Sequence, residues 1–314
     1  MTHWLTRFLF RAVRYLLAKG RALEAALLRR MPTHHLAQTT ICRSTSYDMM
    51  AQPDEPYYSK EYLSWILPAL EANSPDLTAG ILDLGCGQGR LLIPLAEKFP
   101  YARMTGIDFS PSAIESARRY AEARELRNIE FRCTPIPEAV QDFSPETFRG
   151  ILMTEVTFYF PDWEHEIARI RDLLTPGGWL FVAFRPQYYN ALQIVKDRRW
   201  EAVDLLLERR RGHILGGPVE YSWMTSQEIH DRFTNKFGMD VIRIVGIGCC
   251  SGIPGDPHAV LAEPSHLPVE DLPYLERLEA WFGRQIPDAG RYMLLITRKR
   301  GEDPSFPPVK FPLN

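Results

Sequence analysis

Apolar residues recur at helical spacing in the first thirty positions. Leu5, Leu9, Ala12, Leu16, Leu23 and Leu27 share one face, and Arg7, Arg11, Arg14 and Arg21 share another. This pattern predicts a basic amphipathic helix over 1–30, interrupted near Gly20. The period is lost over 31–56, where Pro32, Pro53 and Pro56 stand among many Ser, Thr and Gln, so that stretch reads as a connecting segment. A helix is expected from about Ser59 to Ala72, ending at Asn73-Ser74-Pro75.

From Gly80 the pattern changes. Ile81 to Leu84 is a short, mostly apolar run that predicts a strand, and Gly85-Cys86-Gly87-Gln88-Gly89 predicts a tight turn. Residues 90–98 return to helical spacing, with Pro94 tolerable only in a first turn. A second strand is expected over Arg103–Ile107, ending at Asp108, with Ser110 as N-cap and Pro111 at the first position of the next helix. Further along, the pattern predicts a helix from Asp162 to Leu174 and a long one from Asn190 to Arg211, broken by the glycines of Gly212–Val219. A strand over Met239–Val245 follows, then a helix near Val269–Arg284 with Leu272, Leu275, Leu278 and Trp281 on similar phases. The stretch 301–314 has four prolines and reads as a flexible tail.

Composition narrows the class. With 45% apolar and 24% charged residues the chain is globular, not fibrous or wholly disordered. The net charge of −2 excludes a whole-surface field for nucleic acid, and no nucleic-acid partner is expected. The balance is uneven, since residues 1–30 hold seven basic side chains and one acidic one. Three roles fit that leader: lying on an anionic membrane surface with Trp4 and Phe8 in the interface, targeting, or packing against the body. Five cysteines without a CxxC pair fit a reducing, cytoplasmic location better than a disulfide scaffold. Cys249, Cys250, His258 and His266 do not follow a zinc spacing, so no metal is expected.

The chemistry concentrates in the strand–turn–helix–strand unit of residues 80–108. Such a unit brings backbone N–H groups close to a ligand at the first turn and sets an acid at the second strand tip, where ribose hydroxyls can be met. A dinucleotide loop wants G-x-G-x-x-G; here the third glycine position holds Arg90, which disfavours NAD or FAD.

ILDLGCGQG, GIDFS and LLTPGGWLFVAF together resemble the class I S-adenosylmethionine-dependent methyltransferases, from about Gly80 to Phe184. YSWMTSQEIHDRFTNKFGMDVIRIV resembles that family's helix and sixth strand, and RYMLLITRKR its closing strand. The resemblance implies an α/β fold: a Rossmann-like seven-stranded sheet with helices on both faces, occupying 57–300. The N-terminal helix precedes it, and insertions at 186–220 and 249–290, the latter before the last strand, would shape the acceptor side. The cofactor implied is S-adenosyl-L-methionine. Asp83 and the backbone of Gly85, Cys86, Gly87 and Gly89 would surround its methionine portion, Asp108 its ribose, and Phe109 its adenine. At the third strand tip, Cys133 and Thr134 stand where relatives often have an acid, so a hydroxyl such as that of Thr134, backbone groups, or Glu138 in an unusual position would serve the adenine. Arg149 stands where an Asp is common.

Thr154 and Glu155 would lie at the fourth strand tip near the sulfur, with Glu155 either a contact or a structural acceptor. Tyr159, in the aromatic run TFYFP, is a candidate acceptor contact or simply core, and Arg185 is placed to receive an anionic group. The implied activity is methyl transfer to oxygen or nitrogen of a small organic acceptor, lipid-like if the leader binds membrane. Orientation in a dry cleft can supply much of the rate, so no nucleophile–base–acid triad need appear. The alternatives are an RNA or protein methyltransferase, a nicotinamide-dependent oxidoreductase, and a non-catalytic nucleotide-binding scaffold.

Overall fold

The structure is a computed structural model that describes residues 48–72, 74–160, 162–213, 220–301 and 309–311. The expected helix over 1–30 and most of the connecting segment lie outside the described residues.

Seven strands form one sheet in the order β3-β2-β1-β4-β5-β9-β8. β1 (Ile81–Leu84), β2 (Met104–Asp108), β3 (Ile129–Cys133), β4 (Phe148–Met153) and β5 (Leu174–Phe184) run parallel. β9 (Tyr292–Lys299) is antiparallel to both β5 and β8 (Met239–Ile247). The central strands alternate between two cores with the period of a pleated sheet. Ile81, Leu152, Phe181 and Ala183 face one side, with α1 (Glu55–Glu71), α2 (Leu92–Lys98) and α3 (Pro111–Glu122). Leu82, Leu84, Ile151, Met153, Leu180 and Val182 face the other, with α4 (Ile136–Ala139), α5 (Trp163–Asp172) and α8 (Ser226–Asp231). Both faces are covered, which is why β1 reads as an apolar run.

Local signals set the boundaries near the first two strands. Ser110 caps α3 by accepting from the Ala113 N–H, with Pro111 at its first turn. Pro94 falls in the first turn of α2. α1 starts at Glu55, four residues before the expected Ser59, because Pro56 sits where a helix tolerates it.

Two expectations need correction. The helix expected over Asn190–Arg211 is two helices, α6 (Gln187–Asp197) and α7 (Val203–Glu208); Arg198 ends the first in a left-handed conformation (φ 53°). After α7, β6 (Arg211–Gly212) pairs with β7 (Tyr221–Ser222), which precedes α8 and its Thr225–Glu228 capping box. The flexible tail is corrected where it is described, at 309–311: Phe311 is buried against Trp65 and beneath the Arg243 guanidinium. The segment before β9 carries α9 (Leu272–Gln285), close to the predicted Val269–Arg284. No helix among the described residues is long and apolar enough to cross a membrane.

Candidate active site

The carboxyl ends of β1, β2 and β4 open onto a cleft of about 640 Å³. A crevice at the carboxyl ends of parallel strands, where the order reverses beside β1, is the usual ligand position in such sheets.

Its first wall is backbone. The Gly85 and Cys86 N–H groups bond to the Ile107 carbonyl, folding the turn back onto β2. Gly85 has φ +84°, and a Cβ there would lie 2.4 Å from Cγ1 of Val156. Gly87 has φ +52° and would meet nothing within 4 Å, so its Cα face is open to the cleft it lines. Asp108 ties the turn to the strand tip: its Oδ2 accepts from the Gly87 N–H at 2.9 Å and its Oδ1 from the Ser110 N–H at 2.8 Å. Each carboxylate oxygen keeps a second lone pair for a ligand hydroxyl. Burial raises the Asp108 pKa against the opposing pull of these N–H donors.

Asp83 lines the same wall, nearly inaccessible in the middle of the sheet, and its Oδ1 has no hydrogen-bond partner among the described residues. Burial pushes its pKa up to about 7, partly offset by Arg90. A buried acceptor without a donor is costly, and a ligand cation or N–H group would relieve it. Phe109, Ile136 and Pro137 supply flat apolar surface beside Asp108, with Glu138 at the edge.

Of the residues expected to hold the cofactor, Asp83, Gly85, Cys86, Gly87, Asp108, Phe109 and Thr154 all line the cleft. Gly89 and Thr134 do not. Gly89 packs the turn against Ile93 and Phe131, and the Thr134 N–H bonds to the Asp108 carbonyl.

The second wall is built of buried charge and aromatic rings. Arg90 reaches Glu55 of α1 at 2.7 Å and Glu155 after β4 at 2.5 Å, and stacks on Tyr62. Glu155 has φ +59°, uncommon for a residue with a side chain, and the Arg90 bridge holds its carboxylate in place. Burial works against the ionised form of Glu155, but Arg90, then Arg291 and Arg185, outweigh it and lower its pKa. Tyr159 lines the cleft among Phe158 and Tyr221, and burial raises its hydroxyl pKa. Arg185 is not on the cleft surface. It lies behind Phe158 and Tyr292, which are.

Sequence reading missed Glu55, Tyr292 and Arg291, and gave Arg90 no part in the site. No local pattern marks them, because their partners are 35 to 107 residues away. No group of three or more His, Cys, Asp or Glu side chains suited to a metal ion occurs among the described residues. A cleft with an acid for ribose hydroxyls, an open glycine and an unpartnered buried acid can hold an adenosyl ligand with a cationic end. Neither Glu155, held by Arg90, nor the Tyr159 hydroxyl is poised as a base at neutral pH.

The family described as "Methyltransferase domain" matches residues 81–178. Among curated proteins, aklanonic acid methyltransferase DauC of Streptomyces sp. is 33% identical over 123 residues, covering 39% of this chain and 54% of that protein. Demethylmenaquinone methyltransferase of Thermus thermophilus is 33% identical over 136 residues, covering 42% and 60%. Trans-aconitate 2-methyltransferase of Streptomyces coelicolor is 31% identical over 148 residues, covering 42% and 45%. The chain thus spans about half the length of the curated relatives it matches. The plantazolicin methyltransferase BamL structure aligns over 90% of this chain and 98% of its own, with a TM-score of 0.50 and 16% identity, a likeness of fold. Residues 81–178 match a methyltransferase domain, and the strand order and cleft are those of the class I methyltransferase fold.

Proposed function

We propose that this protein transfers a methyl group from S-adenosyl-L-methionine to oxygen or nitrogen of a small organic acceptor. The observation that carries the reading is the pairing, in one cleft, of the unpartnered Asp83 carboxyl with the Asp108–Gly87 latch. Asp83 and the Gly85–Gly87 backbone would hold the methionine portion, Asp108 the ribose hydroxyls, and Phe109 with Ile136 the adenine. When bound, the cofactor supplies an electrophilic methyl group. Thr154, Glu155 and Tyr159 then face the acceptor side, and the rings of Phe158, Tyr159 and Tyr292 keep it dry. Catalysis in such a site comes from alignment and from exclusion of water rather than from a strong base. The acceptor would reach the cleft already ionised, or lose its proton to solvent as it binds.

Three relatives are named for small organic acceptors: aklanonic acid, demethylmenaquinone and trans-aconitate. That supports a small molecule here without naming it. The basic residues 1–30 support peripheral contact of an otherwise cytoplasmic protein with anionic membrane, which would suit a lipid-like acceptor. Co-sedimentation with anionic liposomes should require residues 2–30; partitioning unchanged by their deletion refutes the contact.

The methyl-transfer reading is tested by screening acceptors for S-adenosylhomocysteine release and identifying the product by mass spectrometry. Release with one acceptor class and a mass gain of one methyl group is the expected result. Tight cofactor binding with no turnover across the screen would favour a scaffold.

A further inference from the structure

Three guanidinium groups surround the acceptor side of the cleft, and two are matched by acids. Arg90 bridges Glu55 and Glu155, and Arg291 pairs with Asp256, which also accepts from the Tyr189 hydroxyl. Arg185 forms no ion pair among the described residues. Its hydrogen bonds go to the Tyr292 hydroxyl at 3.1 Å and the Arg291 carbonyl at 3.5 Å. Three rings enclose it: Tyr292 at 4.3 Å, Tyr189 at 4.7 Å and Phe158 at 5.2 Å from the guanidinium carbon. Guanidinium does not shed its proton in proteins, so Arg185 keeps its charge. Aromatic faces offset part of the cost of burying a cation, but not the loss of a counter-ion.

Phe158 and Tyr292 are cleft walls, so this charge stands about one ring behind the acceptor surface. The neighbouring negative groups do not cancel it within contact distance. Glu155 turns its carboxylate to Arg90, and Asp256 turns to Arg291 and Tyr189.

Resting on the methyl-transfer reading, we propose that the acceptor is an organic carboxylate, a monoanion of aromatic or otherwise flat apolar body, and that Arg185 selects it. Arg185 is a single cation with no acid in contact among the described residues, and a single negative charge brought to the facing surface would meet it. A phosphate dianion would set a second charge beside Glu155, where the other guanidiniums, Arg90 and Arg291, are already held by acids. The apolar walls of Phe158, Tyr159 and Tyr292 favour a flat body over an extended polar one. Arg185 acts as a specificity-determining group through its field and the Tyr292 hydroxyl it holds, not by bonding the methyl group.

The test uses the full chain saturated with S-adenosylhomocysteine, with hydroxybenzoates, the matching hydroxybenzamides and phenyl phosphate as probes, followed by calorimetry. The unsubstituted protein should bind carboxylates at least tenfold more tightly than their amides and than phenyl phosphate. R185Q should remove that preference and R185K should retain part of it, while both still bind S-adenosylhomocysteine. Equal binding of acid and amide, no binding of any carboxylate, a preference for phosphate, or a preference that survives in R185Q overturns the proposal. Failure of the unsubstituted protein to bind S-adenosylhomocysteine would instead refute the methyl-transfer reading beneath it.

Discussion

The two walls of the cleft are made in different ways. The proposed cofactor wall comes from one stretch, residues 83–110, which offers backbone N–H groups, two acids and glycines at positive φ. The acceptor wall is assembled from α1, the turn before α2, and the ends of β4, β5 and β9, and is held by buried ions and stacked rings. The first wall is fixed by local conformation and cannot vary much without losing the turn. The second rests on pairings across long stretches of sequence, so its residues can be exchanged in sets. A locally built ligand half beside a half assembled from distant segments would let one fold serve many acceptors.

The largest effect that would break this contrast is at Arg90. Removing one partner of a buried ion cluster strands the other charges, at about 3–5 kcal/mol. R90A should therefore lower stability by that amount in urea unfolding, leaving Glu55 and Glu155 unpaired. A loss below about 1 kcal/mol would mean the acceptor wall does not depend on its ions.

Gly85 and Gly87 separate folding from binding within the cofactor wall. G85A combines left-handed backbone with overlap on Val156 and should cost about 2–4 kcal/mol of stability. G87A meets nothing in the protein and should cost only about 1 kcal/mol, yet weaken cofactor binding, because its methyl group enters the cleft. Thermal unfolding with and without S-adenosylhomocysteine reads both.

Asp83 gives the smallest effect near neutral pH, and a signed pH dependence. Its folded pKa of about 7 lies above the unfolded value near 3.9, so the proton is held more tightly in the folded state. Its contribution to stability is therefore full below about pH 4 and lost as pH rises through about 7. A cationic ligand prefers the ionised carboxyl. S-adenosylhomocysteine affinity should fall by up to tenfold per pH unit below 7 and be flat above it, and D83N should abolish the slope. A slope of opposite sign would place the ligand's cationic end elsewhere.

How far the fold could be read from sequence follows the same division. The strand at Ile81, the glycine turn, the acid at Asp108 and the Ser110-Pro111 helix start are each written in adjacent residues, and the structure places them as read. The break at Arg198 was not legible, because no glycine or proline marks it and the left-handed turn is made by an arginine. Gly89 fits the motif but serves packing against Ile93, a distinction that depends on three-dimensional neighbours. Arg90 was legible only as a departure from a dinucleotide loop. That it binds Glu55 and Glu155 depends on α1 crossing over the turn, which no local pattern specifies. Tyr159 and Arg185 were picked out by their positions after β4 and β5. The rings that join them come from β7, α6 and β9.

One measurement bears most directly on the site: titration calorimetry of the full chain and its D108N variant with S-adenosylhomocysteine and with NADH. The unsubstituted protein should bind the adenosyl ligand and not NADH. D108N should stay folded and lose about 2–4 kcal/mol of that affinity, as expected when charge-assisted bonds to ribose hydroxyls are removed. Binding of NADH alone, or D108N binding S-adenosylhomocysteine as tightly as the parent, would contradict the assignment of this cleft.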